Sequence, residues 1–268
     1  MTDNPPAAAA TPGPAATDFA SHTLSPALLQ GVDALGYSAM TPVQAQSLPA
    51  ILDGRDVLAQ APTGSGKTAA FGLGLLHTID AAKIQTQALV LCPTRELADQ
   101  VGKQLRKLAV GIPNLKVSVL CGGMPLGPQL ASLETHDPQV VVGTPGRLQE
   151  LLRKKALHLR GVRTLVLDEA DRMLDMGFEE PIKEIVGKLP KERQSLLFSA
   201  TFPDAIRAMA TAMLRDPVEV TVEGGDTHAA IEQRFFEVDA EKKTPVLAAL
   251  LLSEWLVRRH HTRQGEDG

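Results

Sequence analysis

The chain has 268 residues, of which 44% are hydrophobic and 3% aromatic, and its formal net charge is −4 at pH 7. This length allows one or two domains with a sizeable core built from Ala, Leu and Val. The acidic balance excludes an overall basic surface, so any nucleic-acid surface must be local. No apolar stretch is long enough to span a membrane. Cys92 and Cys121 lie in or just after apolar runs, and we interpret them as core thiols in a reducing compartment, without a disulfide partner.

Residues 1–18 are rich in Ala and Pro and contain no Lys or Arg. A secretory signal peptide requires a basic start and an apolar centre, so this segment is not one. Its composition predicts a disordered tail. We therefore expect a cytoplasmic location.

Two helices and then an alternation of strands and helices are predicted along the chain. Ser25-Pro26 and Thr41-Pro42 each combine an N-cap residue with Pro at the first helical position. Continuous apolar runs, typical of strands buried on both faces, then alternate with helical segments. The predicted strands lie near Val57 and at Leu89–Cys92, Val117–Leu120, Val140–Val142, Leu165–Leu167, Leu196–Phe198 and Val218–Val222. This alternation predicts an α/β fold with a mainly parallel sheet sandwiched between helices.

A phosphate-binding loop is predicted at Ala61–Thr68, between the first strand and a helix. Gly64 and Gly66 let the backbone N–H groups turn towards phosphate oxygens. Lys67 can reach the β- and γ-phosphates, and the Thr68 hydroxyl can ligate Mg²⁺. The loop begins with Ala where the usual pattern has Gly. The alternative is an ordinary Gly/Ser-rich turn, but the order of strand, loop and helix favours a nucleoside triphosphate site.

An acidic site is predicted where Asp168 and Glu169 follow the apolar run Thr164–Leu167. An open α/β sheet places its ligands at the carboxyl ends of its strands. Two adjacent carboxylates repel each other unless a cation or a proton intervenes. With Mg²⁺ held by Asp168, Glu169 is free to orient or deprotonate the attacking water. The alternative is a helix N-terminus enriched in acids.

The ordered set of motifs resembles the DEAD-box RNA helicases from about Phe19 to Val222. Asp168-Glu169-Ala170-Asp171 is identical to the tetrapeptide that names this family. The other similar segments are the adenine-reading Q motif at Gly36–Gln44, motif Ia at Pro93–Ala98, the RNA-side elements Gly122-Gly123 and Thr144–Arg147, and motif III at Ser199–Thr201. The run from Gln87 to Gln100 looks closest to the bacterial DbpA-like branch, which acts on ribosomal RNA. The resemblance implies a RecA-like P-loop NTPase domain.

The resemblance also implies ATP and Mg²⁺ as cofactors and a role for each matching residue. Gln44 would pair with the adenine edge and Phe19 would pack near the base, whereas Tyr37 fits either the base or the core equally well. The phosphate-binding residues are Thr63, Gly64, Ser65, Gly66, Lys67 and Thr68, and the metal ligands are Thr68 and Asp168. The catalytic residues are Lys67, Asp168, Glu169, Ser199 and Thr201.

The resemblance implies that the chain binds RNA and contacts the RNA backbone rather than the bases. Six residues in loops that open helices would contact it: Thr94, Arg95, Gly122, Gly123, Thr144 and Arg147. Backbone N–H groups at such loops, and arginines, can bind phosphates. Taken singly, each residue also suits a helix cap or a surface arginine.

The resemblance divides the chain into residues 1–18, 19–222, 223–252 and 253–268. The second segment is the first RecA-like domain, and the third is a linker and the start of a second one, with a strand at Ile231–Val238 and a helix at Thr244–Leu252. The last segment resembles no family element and indicates a truncation, a frameshift or an unusual natural end.

We expect the chain alone to bind ATP weakly, to hydrolyse it poorly and not to unwind RNA, because the second domain normally supplies arginines to the transition state. An ATP- and RNA-binding half-helicase without turnover is the alternative. The tetrapeptide and Gln44 argue against a different class of P-loop protein, such as a DNA helicase or a transporter ATPase.

Overall fold

The computed structural model describes residues 18–222 and 237–252. The chain forms two compact units, residues 1–224 and 225–268. In the described part of the second unit, a short 3-10 helix at Ala240–Lys242 is followed by helical residues 243–252. The predicted helix Thr244–Leu252 is therefore confirmed. The predicted tails, residues 1–18 and 253–268, lie outside the described residues apart from Asp18, and so does most of the predicted strand Ile231–Val238.

The first unit contains a seven-stranded sheet in which every pair of neighbouring strands is parallel. The strands are β1 (Val57–Gln60), β2 (Ala88–Leu91), β3 (Val117–Leu120), β4 (Val140–Gly143), β5 (Thr164–Leu167), β6 (Gln194–Ser199) and β7 (Val218–Thr221). Their order across the sheet is β3-β4-β2-β5-β6-β1-β7. All seven predicted strands are confirmed, with ends that shift by a few residues.

Helices connect successive strands, as parallel pairing requires. They are α1 (Pro26–Ala34), α2 (Pro42–Leu52), α3 (Lys67–His77), α4 (Arg95–Leu108), α5 (Leu126–Thr135), α6 (Pro145–Arg153), α7 (Ala170–Asp175), α8 (Glu179–Val186) and α9 (Asp204–Met213). A 3-10 helix at Phe19–Ser21 precedes them. The predicted starts of α1 and α2 are confirmed: Ser25 caps α1, where its hydroxyl accepts from the Leu28 N–H at 3.4 Å, and Pro42 opens α2.

Side chains on each strand alternate between two apolar cores. Within β1, Val57 and Ala59 pack in one core and Leu58 in the other. The first core also receives side chains from α1 to α4, and the second receives side chains from α5 to α9. Both faces of the sheet are therefore covered, which explains why its strands are continuous apolar runs. The predicted α/β sandwich is confirmed.

The strand order divides the carboxyl edge of the sheet into two neighbouring groups. On one side, β5, β6 and β1 are adjacent, with Gln60 paired in register with Ser199. Their ends lead into the phosphate loop and the two other predicted catalytic segments. On the other side, β3, β4 and β2 lead into the three segments predicted to contact RNA. The sheet thus separates the two predicted sites along one edge.

Cys92 and Cys121 are both buried and carry free thiols. Burial raises the pKa of the Cys92 thiol well above its usual value, and it also raises that of Cys121. Both are therefore protonated core groups rather than reactive thiolates. No helix in residues 18–222 or 237–252 combines the length and hydropathy of a membrane span.

Candidate nucleotide site and RNA-facing loops

The predicted phosphate loop connects β1 to the start of α3, and its geometry depends on two glycines. Gly64 has a φ of +83° and Gly66 a φ of +96°. Side chains rarely adopt such angles, so glycine is favoured at both places. Gly66 is the N-cap of α3, and Lys67 is its first helical residue. The predicted order of strand, loop and helix is confirmed.

A cavity of about 360 Å³ opens in front of this loop. Its walls bring together residues from four parts of the chain: Tyr37, Ala39, Thr41, Gln44, Thr63, Gly64, Gly66, Lys67, Thr68, Leu97, Gln104, Asp168 and Glu169. Ser65 does not line it, and the Ser65 hydroxyl is buried without a hydrogen-bond partner in the described part of the chain. Seven of the eight residues predicted to bind phosphate, adenine edge or metal therefore meet in one place.

Gln44 is 3% exposed, and both ends of its amide already form hydrogen bonds. Its Oε1 accepts from the Thr41 backbone N–H at 2.9 Å, and its Nε2 donates to the Gly66 carbonyl at 3.0 Å. The side chain thus joins the start of α2 to the phosphate loop. A primary amide retains one further N–H and one further lone pair after these two bonds. Those are the two groups that an adenine edge would engage.

The structure places Tyr37, not Phe19, at the wall of the cavity. Phe19 is 2% exposed, and its ring stacks on Tyr37 with centroids 6.3 Å apart and planes at 23°. The Tyr37 hydroxyl accepts a hydrogen bond of 2.7 Å from Gln104 Nε2. Phe19 therefore belongs to the core behind Tyr37, and its predicted place near the base stays a prediction. Gln104 is a cavity residue that the sequence reasoning missed, because only the fold brings α4 beside Tyr37.

Lys67 is buried, and its ammonium donates to the Ala61 carbonyl at 3.0 Å. This contact holds the lysine within the phosphate loop. It also leaves the ammonium with two further N–H donors.

Asp168 is buried, and its Oδ1 has no hydrogen-bond partner among the described residues. Burial raises the pKa of Asp168 to about 6, Lys67 opposes this rise, and the adjacent Glu169 adds to it. An unpartnered, buried carboxylate oxygen is costly unless a cation or a proton reaches it. With the Thr68 hydroxyl on the same cavity, this donor set suits Mg²⁺, which prefers oxygen ligands.

Glu169 adopts the left-handed backbone conformation, with φ 53° and ψ 54°, where β-carbons cost about 1–2 kcal/mol. Its Oε1 accepts from the Thr63 hydroxyl at 3.4 Å, and its Oε2 from Arg172 Nη1 at 3.3 Å. Strained residues of this kind concentrate at functional sites. The carboxylate thus lies between Thr63 of the phosphate loop and Arg172 of α7.

Asp171 links the acidic segment to the end of β6. Its Oδ2 accepts from the Thr201 N–H at 3.0 Å and from the Thr201 hydroxyl at 2.9 Å, while its own N–H donates to Ser199 Oγ at 3.2 Å. Burial raises the pKa of the Asp171 carboxyl, but the hydrogen bonds from Thr201 and its neighbours outweigh this, and the pKa falls below its usual value. Asp171 was missing from the predicted site, although it is the last residue of the tetrapeptide.

The segments predicted to contact RNA are braced against one another. The Gly122 N–H donates to the Thr144 hydroxyl at 3.2 Å. Arg147 donates to the Met124 carbonyl at 2.9 Å and to Glu150 at 3.0 Å, and its side chain is only 9% exposed. Arg147 therefore supports the turn that follows β3, and within the described residues only its Nη1 lacks a partner.

Thr94 and Arg95 open α4 beside this turn. The Thr94 hydroxyl accepts from the Leu97 N–H at 3.2 Å and so caps the helix. Arg95 is half exposed, and its Nη1 lies 3.8 Å from where a β-carbon on Gly123 would stand. A groove of about 700 Å³ passes between α4 and the start of α5, with Arg95, Cys121 and Met124 among its lining residues. All six predicted RNA residues thus lie in neighbouring loops, or in the first turns of the helices that follow them, at one end of the sheet.

Comparison with known proteins places this fold and site in a family. The sequence model of the DEAD/DEAH box helicases matches residues 41–209, well over half of the chain. The chain therefore belongs to the DEAD/DEAH box helicase family. The match begins at the N-cap of α2 and ends within α9, so it contains the whole cavity apart from Tyr37 and Ala39.

Two curated relatives and one solved structure illustrate the similarity. The ATP-dependent RNA helicase DbpA of Escherichia coli is 55% identical over 230 residues, which are 86% of this chain and 50% of that protein. The DEAD-box ATP-dependent RNA helicase CshA of Bacillus cereus is 44% identical over 236 residues, 88% of this chain and 45% of that protein. The chain spans about half the length of these relatives.

The crystal structure of a DEAD box protein from the hyperthermophile Methanococcus jannaschii matches with a TM-score of 0.74 and 35% identity. The match covers 88% of this chain and 63% of that one. The sheet and its helices are therefore the RecA-like domain of a DEAD-box helicase, as the sequence predicts.

Proposed function

We propose that the chain is the N-terminal, ATP- and RNA-binding core of an ATP-dependent RNA helicase that remodels ribosomal RNA during ribosome assembly in the cytoplasm. The observation that carries this proposal is the cavity of about 360 Å³, where the phosphate loop, Gln44 and the carboxylates of Asp168 and Glu169 meet. The similarity to DbpA supports the choice of RNA.

ATP would bind with its base at Gln44 and Tyr37 and its phosphates along the loop. The remaining N–H and lone pair of the Gln44 amide match the donor and acceptor of an adenine edge. A guanine edge would leave buried polar groups unpaired, at a cost of about 1–3 kcal/mol. The phosphate ligands proposed are Thr63, Gly64, Ser65, Gly66, Lys67 and Thr68. Phe19 contributes by supporting Tyr37 from behind.

Mg²⁺ would be held by the Thr68 hydroxyl and by Asp168, whose free oxygen lacks another partner. When bound, the ion neutralises phosphate charge and so assists phosphoryl transfer. Glu169 is the proposed general base. Its carboxylate lies beside the loop, where it accepts from the Thr63 hydroxyl, and from there it would accept the proton of the attacking water.

Asp171 is proposed as the connection between hydrolysis and RNA. It follows Glu169 by two residues and accepts both hydrogen bonds from Thr201. A shift of Glu169 on hydrolysis would therefore reach Ser199 and Thr201 through the start of α7. The proposed RNA ligands are Thr94, Arg95, Gly122, Gly123, Thr144 and Arg147, which contact the backbone and position the strand without reading its bases.

We further propose that this chain alone turns ATP over slowly and does not unwind RNA. An arginine that reaches the transferred phosphate raises the rate about 10³–10⁵-fold in related reactions. In the described part of the chain no arginine lines the cavity, and Arg172, the partner of Glu169, stands outside it. An ATP- and RNA-binding half-helicase without turnover is the second candidate, which the same observation favours.

Measured ATP turnover with and without structured RNA, beside a Glu169→Gln control, tests this proposal. Slow turnover that rises with RNA, and that vanishes in the control, supports the enzyme. Nucleotide binding without turnover supports the half-helicase. Equal binding of ATP and GTP, or stimulation by DNA but not by RNA, contradicts both.

A further inference from the structure

A second cationic surface lies away from the loops described above, at the far end of α6. Residues 153–163 carry five Lys or Arg side chains and no carboxylate: Arg153, Lys154, Lys155, Arg160 and Arg163. The whole chain has a net charge of −4. This segment is therefore strongly positive although the chain as a whole is negative. A local site for a polyanion requires such a concentration of positive charge.

The structure folds this segment around a cavity of about 340 Å³. Four cations line it, from α6, from the loop that follows, and from the end of α8: Arg153, Lys155, Arg160 and Lys188. The leucines at 152, 157 and 159 form its apolar part, and Glu184 and His158 complete the lining. This basic cavity is thus built from two helices rather than from one flexible run.

Most of the charge in the basic cavity is uncompensated. Glu184 binds Arg153 through contacts of 2.7 and 3.3 Å, which lower the pKa of the Glu184 carboxyl and neutralise that arginine. Lys155, Arg160 and Lys188 are exposed and form no ion pair with any residue in the described ranges. Among the described residues that line the cavity, Glu184 is the only acid, and Asp137, outside the lining, lies 3.8 Å from His158 Nδ1. Lys188 makes a smaller electrostatic contribution to the lowered pKa of Glu184 but forms no ion pair with it, so three cations remain available to a ligand.

Lys155 occupies a backbone position that normally favours glycine. Its φ is 58°, and the Lys155 and Ala156 N–H groups donate to the carbonyls of Leu152 and Leu151 at the end of α6. This is the Schellman ending of a helix, whose left-handed residue is usually Gly. Lys155 therefore costs strain that a glycine would avoid, and its side chain lines the basic cavity. A strained residue that also lines a cavity is a candidate for a functional role.

The position of α6 indicates what the basic cavity binds. The helix begins at Pro145, next to Thr144 and Arg147 of the proposed RNA loops, and ends at Arg153. Nine helical residues span only about 13 Å. A nucleic acid that leaves the RNA loops along α6 therefore arrives at the basic cavity with its phosphates.

We propose that the basic cavity binds backbone phosphates of the same RNA, outside the stretch held by the loops at the carboxyl edge. This inference rests on the proposed function, because it requires RNA on those loops. It predicts that RNA with a structured flank binds more tightly, and with a steeper salt dependence, than a short single strand.

The test compares two triple variants of the full chain in fluorescence anisotropy over a series of salt concentrations. The first variant carries Lys155→Gln, Arg160→Gln and Lys188→Gln. The matched control carries Lys83→Gln, Lys103→Gln and Lys107→Gln, which remove the same charge from exposed sites elsewhere. The probes are hexauridylate and a stem-loop RNA that bears the same single-stranded arm. Thermal unfolding checks that both variants are folded.

We expect the first variant to lose about tenfold in affinity for the stem-loop, and its salt slope to fall by about 2–3, because each phosphate contact contributes about 0.7–0.9. Its affinity for hexauridylate, and both affinities of the control, should stay unchanged. If the unmodified chain binds hexauridylate, then equal losses of stem-loop affinity in both variants, or no loss in either, would overturn the inference. Failure of the unmodified chain to bind hexauridylate would instead refute the proposed function itself. Weaker binding of polyglutamate with unchanged RNA binding would assign the basic cavity to an acidic protein and overturn the inference.

Discussion

Replacing Gly66 by Ala should damage both the stability of the chain and its choice of nucleotide. A β-carbon at this position would stand 2.5 Å from Gln44 Nε2 and 3.0 Å from Thr41 Oγ1. The first distance is shorter than atoms tolerate, so the Gln44 amide must move. That movement breaks the hydrogen bond of 3.0 Å to the Gly66 carbonyl and disturbs the group proposed to read adenine.

The cost of Gly66→Ala has two parts. A β-carbon in a left-handed conformation costs about 1–2 kcal/mol. Loss of a buried amide hydrogen bond adds about 1–3 kcal/mol. The matched control is Gly64→Ala, since Gly64 also has a positive φ, of +83°, but a β-carbon there has no atom within 4 Å. The control should show the strain alone.

Urea unfolding and the affinities for fluorescent ATP and GTP analogues measure the two effects. We expect Gly66→Ala to lower the free energy of unfolding by about 1–3 kcal/mol more than Gly64→Ala does, which is the hydrogen-bond part. We also expect a smaller preference for ATP over GTP in Gly66→Ala. Equal stability and equal nucleotide preference in the two variants would show that the contact between Gln44 and the phosphate loop has no such role.

Three further changes test other parts of the site. Asp168→Asn should raise the free energy of unfolding of the nucleotide-free chain by up to ~3 kcal/mol at neutral pH, because the folded-state pKa of about 6 exceeds the usual 3.8 and charging the carboxyl costs stability. This gain in the free energy of unfolding should disappear as the pH falls from about 6 towards 4. Urea unfolding at several pH values measures it, and a gain that is the same at every pH would contradict the reasoning. A double-mutant cycle of Asp171→Asn and Thr201→Ala should give a coupling energy of about 1–2 kcal/mol, whereas additive losses would exclude their link. Lys155→Gly should raise the thermal unfolding temperature by relieving about 1 kcal/mol of left-handed strain, and a lower temperature would show that no strain is stored there.

The elements of the fold are largely predictable from the sequence, because each strand is buried on both faces and must be apolar throughout. Runs such as Leu89–Cys92 and Val117–Leu120 therefore stand out without any periodicity. The order of the strands is not local information. Nothing within the β6 segment indicates that Ser199 pairs in register with Gln60. Only the crossovers bring those two strand ends together.

The site was less predictable where a residue's role depends on its neighbours in space. Phe19 and Tyr37 are both aromatic, but which ring faces the cavity depends on how the first 3-10 helix packs. In the sequence, Arg147 resembles an ordinary surface arginine. In the structure, hydrogen bonds to the Met124 carbonyl and to Glu150 hold its side chain almost buried. Asp171 gains its role from Thr201, 30 residues further along the chain.

The contact between the Lys67 ammonium and the Ala61 carbonyl bears on the entropy of nucleotide binding. It uses one of the three N–H donors and fixes the end of a long side chain inside the phosphate loop. The two remaining donors can meet a phosphate while this contact stays in place. A lysine that is already ordered has little rotamer freedom left to lose, so more of the free energy of each charge-assisted hydrogen bond contributes to affinity.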